Sequence, residues 1–484
     1  MKKILLIISI TSFLLISACA KQPRIFKAPE TTEDLSFTPV KPLEWQMPNG
    51  LKVVYVEDKE LPIVRGALYI PRGTLWEKPS EYDLVSAMGY LLRQGGTENL
   101  EPDKLDFQLE KLAASVESGY SSEFGSISFS CLNSDIDSVF PIFADVLLKP
   151  KFDESRLDLW KGQMLEAIRR RTDDPSTIAS IAYRSLVYGN GSFGRTGVSA
   201  DIKKINQKDL LRLHKEFVVP NQAYLAVIGN ISREKLEETV NKYLSTWQKA
   251  ETLDSFEPSF SYNFTPGIYF VEQPLEQATI YIGQQGPARL PADYTAIEAF
   301  NNIFGSGDFG ARLFKKIRTE LGLAYSLYGA VLPSFLVGQN IIVIQTKSES
   351  ASQATVESLK ILKEMQLSKV TEEELELSKK TIKNSFIFKI DSPDDAVKRY
   401  IMLKMLKYPD DYDSTYFEKT NKVSLSDIKD AAAKYWDLNK LVIVVVGNQK
   451  AYNAFKNDLD KNLGSLYNLK LQKCSFDEIL GKCI

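Results

Sequence analysis

The stretch DLLRLHKEFVVPNQAYLAVIGN, Asp209–Asn230, decides how this chain is built, because it occurs twice. DIKDAAAKYWDLNKLVIVVVGN, Asp427–Asn448, aligns with it without a gap, 218 residues further on. In both copies a helical period of apolar residues runs into an Asn-containing turn, then into an apolar strand that stops at Gly-Asn. A weaker echo at nearly the same spacing pairs NGLKVVYVED, from Asn49, with PGIYFVEQ, from Pro266. Two copies of one fold are therefore expected, over 44–248 and 266–460. The intervening 249–265 has no helical period and reads as a linker.

Within a copy, strands come in runs and helices in runs. Leu51–Val56 and Val64–Ile70 alternate or run apolar as strands, helices follow, SISFSC (Ser126–Cys131) is a further strand, and more helices precede the closing strand AYLAVIG (Ala223–Gly229). That order favours an α+β class over a βαβ alternation: two homologous halves, each a mostly antiparallel sheet covered by helices. At 484 residues the chain exceeds a single core. With 44% hydrophobic residues, 25% charged and a formal charge of -2, it has neither the composition of a disordered chain nor the basic surplus of a nucleic-acid binder. Arg169, Arg170 and Arg171 end a helical pattern and are followed by acids, so they read as a solvated helix end, with an anionic contact as the alternative.

The N-terminus has the layout of an export signal over 1–18. Lys2 and Lys3 precede the apolar run Ile4–Ile16, too short to span a bilayer, and Ser17, Ala18 and Cys19 follow. ISAC matches the bacterial lipoprotein box, so lipidation of Cys19 is expected, with an ordinary signal peptide as the alternative. Residues 19–43 carry Pro23, Pro29, Pro39 and Pro42 and suit a tether. The expected location is outside the cytoplasm, anchored to a bacterial membrane and facing the periplasm or the exterior. An oxidising compartment permits disulfides. Cys131 alternates with Ile127 and Phe129 and reads as a core residue, while Cys474 and Cys483 are spaced to close a short loop in the tail over 461–484, a clip worth about 2–3 kcal/mol.

The chain has one histidine, His214. That count excludes any two-His metal site in this chain. Flanked by Arg212, Lys215 and Glu216, His214 reads as an exposed or boundary helix residue rather than a general base. No Gly-x-Ser-x-Gly elbow occurs. GSGDFG, with Gly305, Gly307 and Gly310, matches a dinucleotide fingerprint in form only, since it follows a helical pattern and not a strand. Its glycines let backbone approach backbone or a bound peptide.

The ordered series NGLKVVYVEDKELPIVRGALYIPRG, YLLRQGGTENL, LEAIRRRTDDP and FGARLFKKIRTELGLAYSLYG resembles the insulinase (pitrilysin) family of zinc peptidases over about 44–460. The resemblance implies a clam of homologous α/β halves around a chamber for unfolded peptides. It also implies catalysis through His-x-x-Glu-His and a distal Glu. Two His at i and i+4 share one helix face and grip zinc, while the Glu between them takes a proton from the metal-bound water. Aligned on the Gly96-Thr97 turn, Ala87 and Leu91 stand at the two His positions, Tyr90 at the Glu position, and Ala167 at the distal position with Glu166 beside it. Carbon side chains there hold no zinc, so no metal or other cofactor is expected in this chain. A helix that never carried ligands reads the same way.

The second half keeps what the resemblance assigns to the opposite wall of the site: an Arg and a Tyr seven residues apart, here Arg318 and Tyr325, which contact the scissile carbonyl in active relatives. The alternative is a surface ion pair and a core tyrosine. Some bacterial members of the family act as pairs of one zinc-bearing and one zinc-free chain, and this sequence is similar to the second kind. The expectation is a lipid-anchored, non-catalytic subunit, inactive alone, that pairs with a zinc-bearing partner on unfolded peptides. The alternative is a metal-free peptide-binding or assembly module, possibly homodimeric.

Overall fold

Leu43–Gln46, Lys52–Glu57 and Ile63–Ile70 form strands β1, β2 and β3, and the last two are rich in the β-branched and aromatic residues that fit a pleated surface. Helices α1 (Leu84–Gln94) and α2 (Pro102–Lys111), strands β4 (Ser115–Tyr120) and β5 (Gly125–Leu132), and helices α3 (Ile136–Leu148), α4 (Glu154–Arg169), α5 (Pro175–Tyr188), α6 (Ser199–Lys204) and α7 (Gln207–Phe217) follow. β6 (Tyr224–Gly229) and α8 (Arg233–Leu244) close the first half. The second half repeats the plan: β7 (Gly267–Glu272), β8 (Gln277–Gly286), α9 (Tyr294–Asn301), π-helical turns at Asn302–Ser306 and Phe314–Glu320, β9 (Ala324–Leu332), β10 (Gly338–Lys347), α10 (Ala351–Gln366) and α11 (Glu372–Phe386). It continues through α12 (Pro393–Met405), α13 (Tyr412–Lys422), α14 (Leu425–Tyr435), β11 (Val442–Gly447) and α15 (Gln449–Asp460), and the tail adds β12 (Leu471–Lys473), β13 (Phe476–Asp477) and β14 (Lys482–Cys483). This computed structural model describes residues 42–251, 256–307, 309–461, 466, 469–477 and 482–483, without the side chains of the last two. All of them fall in one compact unit, Thr38–Ile484.

The class is α+β, with two homologous halves. One sheet has the strand order β1-β2-β6-β3-β5-β4 and the other β12-β7-β11-β8-β10-β9. In each, the strand after the long crossover pairs parallel with the first strand of the echo, β6 with β2 and β11 with β7, and the next three pairings are antiparallel. The duplicated stretch is α7 running into β6 and α14 running into β11. Strands β1 and β4, absent from the expected order, carry little apolar signal: β1 has no buried residue, and only Val116 of β4 is fully buried.

Two helices exchange sides. The apolar face of α5, a first-half helix, packs on the second sheet, with Ile178, Tyr183, Val187 and Tyr188 against Tyr269, Val442, Val444 and Val446. Its tyrosines fix the pose: the Tyr183 hydroxyl donates to the Asn340 carbonyl at 3.0 Å and that of Tyr188 to the Gly338 carbonyl at 2.7 Å. Reciprocally, Val397, Ile401 and Met405 of α12 pack on Val54, Tyr69, Ala226 and Ile228 of the first sheet. The Arg65 guanidinium donates to Asp394 at the start of α12, with Nε 2.9 Å from Oδ1. Pro175 and Pro393, each the first residue of its helix, are again 218 residues apart, so the exchange obeys the internal repeat. The linker is not loose either: its Phe260 packs against Phe193 and Tyr262, and Ser192 N–H donates to the Ser259 carbonyl at 2.7 Å. Residues 252–255 lie outside the described residues.

Two expectations need correcting. His214 is not exposed: it is buried on the apolar stripe of α7 with Leu210, Leu213 and Phe217, because positions i, i+3, i+4 and i+7 share one helix face. Burial pushes its imidazole down to about 4, and the neutral ring donates from Nε2 to the Leu147 carbonyl at 2.8 Å. Nor do the three arginines share one solvated fate. Arg169 and Arg170 pair at the surface with Glu166 and Asp173, but Arg171 is buried and donates to the carbonyls of Ile168 and Gly197. Cys131 is a buried free thiol. Cys474 is disulfide-bonded, and β13 pairs with β14 through Phe476 and Cys483, whose side chain lies outside the described residues. The export signal, Cys19 and all but the end of the 19–43 tether also lie outside them. Among the described residues, no helix is long and apolar enough to cross a membrane.

Candidate functional site

Helix α1 forms because Leu84, Val85, Ala87, Met88, Leu91 and Leu92 bury one broad face in the core of the first half. Ala87 and Leu91, at the expected ligand positions, are both 0% exposed, while Tyr90 between them is partly exposed. Helix α4 packs on α1 through the core that Met164, Leu165 and Ile168 join, and Ala167 is exposed on its other side. Glu166 is exposed and accepts from Arg169 Nε and Nη2 at 2.9 and 2.8 Å. Methyl and isobutyl groups, one phenol and a salt-bridged carboxylate are not a zinc donor set, which needs imidazole, thiolate or convergent carboxylates. The residues therefore do not fit the metal that the resemblance implies. Among the described residues, no group of three or more His, Cys, Asp or Glu is placed to hold a metal ion.

The start of α1 holds a residue that the sequence reading missed. Glu77, 4% exposed, accepts from the Val85 and Asp83 N–H groups at 2.8 and 3.2 Å and so caps the helix. Burial, then the nearby Asp83, push its carboxyl up to about 8. An acid placed seven residues before the helix was the available signal. A carboxyl whose folded value lies above its ordinary 4.5 contributes its full stability below that pH and loses it as the pH rises to about 8. Glu77→Gln is accordingly expected to remove its share of the fall in Tm as the pH rises between those values, leaving the smaller share of Asp83, whose carboxyl burial pushes up to about 6. An unchanged slope in thermal melts would contradict the assignment.

The second half brings Arg318 and Tyr325 together. In the segment Ala311–Glu320, Leu313 and Ile317 face inward and are fully buried, which leaves Phe314 and Arg318, also four apart, on a neighbouring face. Arg312 fixes the segment to α11 with a two-pronged bond to Glu374 at 2.7 and 2.6 Å. The helix ends in a π turn, Leu321 N–H donating to Lys316 O at 3.1 Å, and the chain then reverses at Gly322, whose φ is +60°. Tyr325 is the extra residue of a β-bulge on edge strand β9: Ser326 faces Gln345 and Ala324 faces Thr346, so Tyr325 has no partner. The bulge turns its ring out, 80% exposed, and the Arg318 guanidinium lies 4.5 Å from the ring centre. Phe314 lies at the same 4.5 Å and Phe309 at 5.6 Å. No oxygen of the described residues accepts from Arg318, so its N–H edge is available. Gly322→Ala would place a Cβ in a left-handed turn at a cost of about 1–2 kcal/mol. A matching drop in unfolding free energy, read from denaturant titrations, is the expected result.

The glycine-rich loop abuts this constellation. A Cβ at Gly305 would come within 3.0 Å of the Gly329 backbone on β9, so backbone packs on backbone there. Gly307 sits as tightly over Asn302, Gly310 follows Phe309, and Asp308 lies outside the described residues. The family resemblance, not spacing alone, pointed to Arg318 and Tyr325. The aromatic surround was legible only as Phe314 four residues before Arg318.

Comparison with known proteins bears on this geometry. Residues 52–195 match the family pattern described as Insulinase (Peptidase family M16), and residues 204–382 the one described as Peptidase M16 inactive domain. The "Non-peptidase homolog YmxG" of Helicobacter pylori is 24% identical over 401 residues, which is 82% of this chain and 92% of that protein. The "Uncharacterized zinc protease YmxG" of Bacillus subtilis is 22% identical over 354 residues, covering 72% of this chain and 85% of its own. A crystal structure of a peptidase M16 inactive domain from Pseudomonas fluorescens superposes with a TM-score of 0.76 at 24% identity, over 85% of this chain and 99% of that one. The two family patterns, matched in order along one duplicated α+β chain, place it: the protein belongs to the insulinase family, peptidase family M16.

Proposed function

We propose that this chain is an exported, lipid-anchored, non-catalytic subunit that closes on a zinc-bearing member of its family and supplies Arg318 and Tyr325 to a composite peptide-cleaving site. The observation that carries the proposal is a contrast between the two halves. Where ligands would stand, Ala87 and Leu91 are buried carbon; where donors would stand, a guanidinium and a phenol lie together at the surface. Fixed donors aimed at developing negative charge lower the barrier to attack on a carbonyl, and they need no metal of their own. The bulge and the π turn are both devices that re-aim a side chain, and both act on this pair. The name of the Helicobacter pylori relative, a non-peptidase homolog, agrees with a chain that does not cut alone.

The test is reconstitution with a His-x-x-Glu-His chain encoded beside this one. Peptide cleavage that requires both chains is the expected result. A candidate partner that cleaves equally well without this chain would contradict it. One observation favours a second reading, a metal-free peptide-binding module, possibly homodimeric: β4 and β9 are edge strands that could accept an extended peptide. Stable peptide binding by a homodimer, with no zinc-bearing partner encoded nearby, would support that reading instead.

A further inference from the structure

The rings around Arg318 include one that a positively charged donor does not need. Phe314 and Tyr325 lie equally close to the guanidinium at 4.5 Å and suffice to hold it. Phe309 lies farther off, packs edge-on against Phe314 with centroids 4.8 Å apart, and leaves 72% of its surface in water. A large apolar ring is held exposed there in the glycine loop, across Arg318 from an exposed Tyr325. Clustered exposed aromatics next to unused hydrogen-bond donors are the anatomy of a recognition site, in which the ring anchors a side chain and the donors fix the backbone. On the flank of the patch most lysines are paired, Lys316 with Glu320, Lys360 with Glu357 and Lys369 with Glu364, which leaves little free basic charge for an anionic headgroup layer.

We infer that Phe309 is a specificity-determining residue: the peptide is held with a backbone carbonyl on the Arg318 N–H edge and an aromatic or large aliphatic side chain lying against Phe309 and Tyr325. This rests on the proposed role of Arg318 and Tyr325 and adds the class of peptide that they meet. A glycine or alanine at that position leaves the ring in water and forgoes the burial of a large side chain.

The test uses the full mature chain and end-blocked, fluorescein-labelled Gly-Ser peptides that differ at one central residue, Phe, Leu, Ala or Gly, with affinities from anisotropy. The wild type is expected to bind the Phe and Leu peptides about tenfold more tightly than the Gly peptide, a difference of about 1.4 kcal/mol. Phe309→Ala should remove that preference and leave the Gly peptide unchanged, and Phe309→Leu should restore part of it. Arg318→Ala should weaken all the peptides alike. Equal binding of every peptide, or a Phe309→Ala effect that is the same for all of them, overturns the inference while a loss in Arg318→Ala leaves the underlying reading standing. If Arg318→Ala changes nothing, or no peptide binds the wild type, the inference falls, while the composite-site reading is decided separately by the loss of cleavage in the assembled pair. Loss of binding to phosphatidylglycerol-containing vesicles in Phe309→Ala, with peptide affinities intact, would assign the patch to a membrane and overturn the inference. Phe309 is mostly exposed, so these variants keep the fold, which matched thermal melts would verify.

Discussion

Arg318→Ala is expected to lower kcat for peptide cleavage by the assembled pair about 10²–10³-fold, the loss seen when one preorganised oxyanion donor is removed, about 2.7–4 kcal/mol. KM should change much less, because the ground-state carbonyl needs the donor less than the developing oxyanion does. Tyr325→Phe isolates the hydroxyl: it keeps the ring that stacks on Arg318 and removes the proton that the phenol donates, so it should cost less than Tyr325→Ala, which loses both. If the two donors act on one oxygen, the double variant should fall short of the sum of the single losses. Arg318→Lys keeps the charge but loses the planar fork and the stacking, and it should recover little. A pair that cleaves normally with both side chains truncated would leave the composite site without its donors.

The second large effect concerns the fold. A fragment of residues 44–248 is expected not to fold, although the repeat marks it as one copy. Separated from the rest, it exposes the α5 face formed by Ile178, Tyr183, Val187 and Tyr188, and it uncovers Val54, Tyr69 and Ile228, which α12 shields. At about 1.5–3 kcal/mol for each large apolar side chain, the lost burial is on the order of 10 kcal/mol. That matches the whole stability of an ordinary domain, about 5–15 kcal/mol. The fragment should be insoluble alone and should be recovered when co-expressed with the remainder of the chain. A monomeric fragment with a cooperative melt would show that the exchanged helices matter little.

How much of this was legible beforehand follows from which residues carry the signal. The ungapped match at Asp209 and Asp427 revealed the duplication because a helix, a turn and a buried strand impose pattern on every position. The exchange of α5 and α12 left only a faint trace, Asp-Pro at Asp174 and Ser-Pro at Ser392, since an apolar helix face does not say which sheet it will meet. His214 was misplaced because its charged neighbours along the chain lie on the far side of the helix, while its spatial neighbours Leu210 and Phe217 are four and three residues away. At the site, the family resemblance gave Arg318 and Tyr325, but a seven-residue spacing cannot show a bulge or a π turn, which arise from register against β10 and from the reversal at Gly322. Phe309 was hidden in a loop read for its glycines. The absence of a two-histidine zinc site was the most legible feature, because a single histidine settles it by count.

Buried carbon at Ala87 and Leu91 and a single histidine leave this chain without a hydrolytic metal site of its own. This is tested most directly by measuring, on the purified chain alone, bound zinc by mass spectrometry together with chelator-sensitive peptide hydrolysis. Zinc at trace level and no hydrolysis until a zinc-bearing partner is added are the expected results. One zinc per chain, with cleavage that a chelator abolishes and added zinc restores, would contradict them.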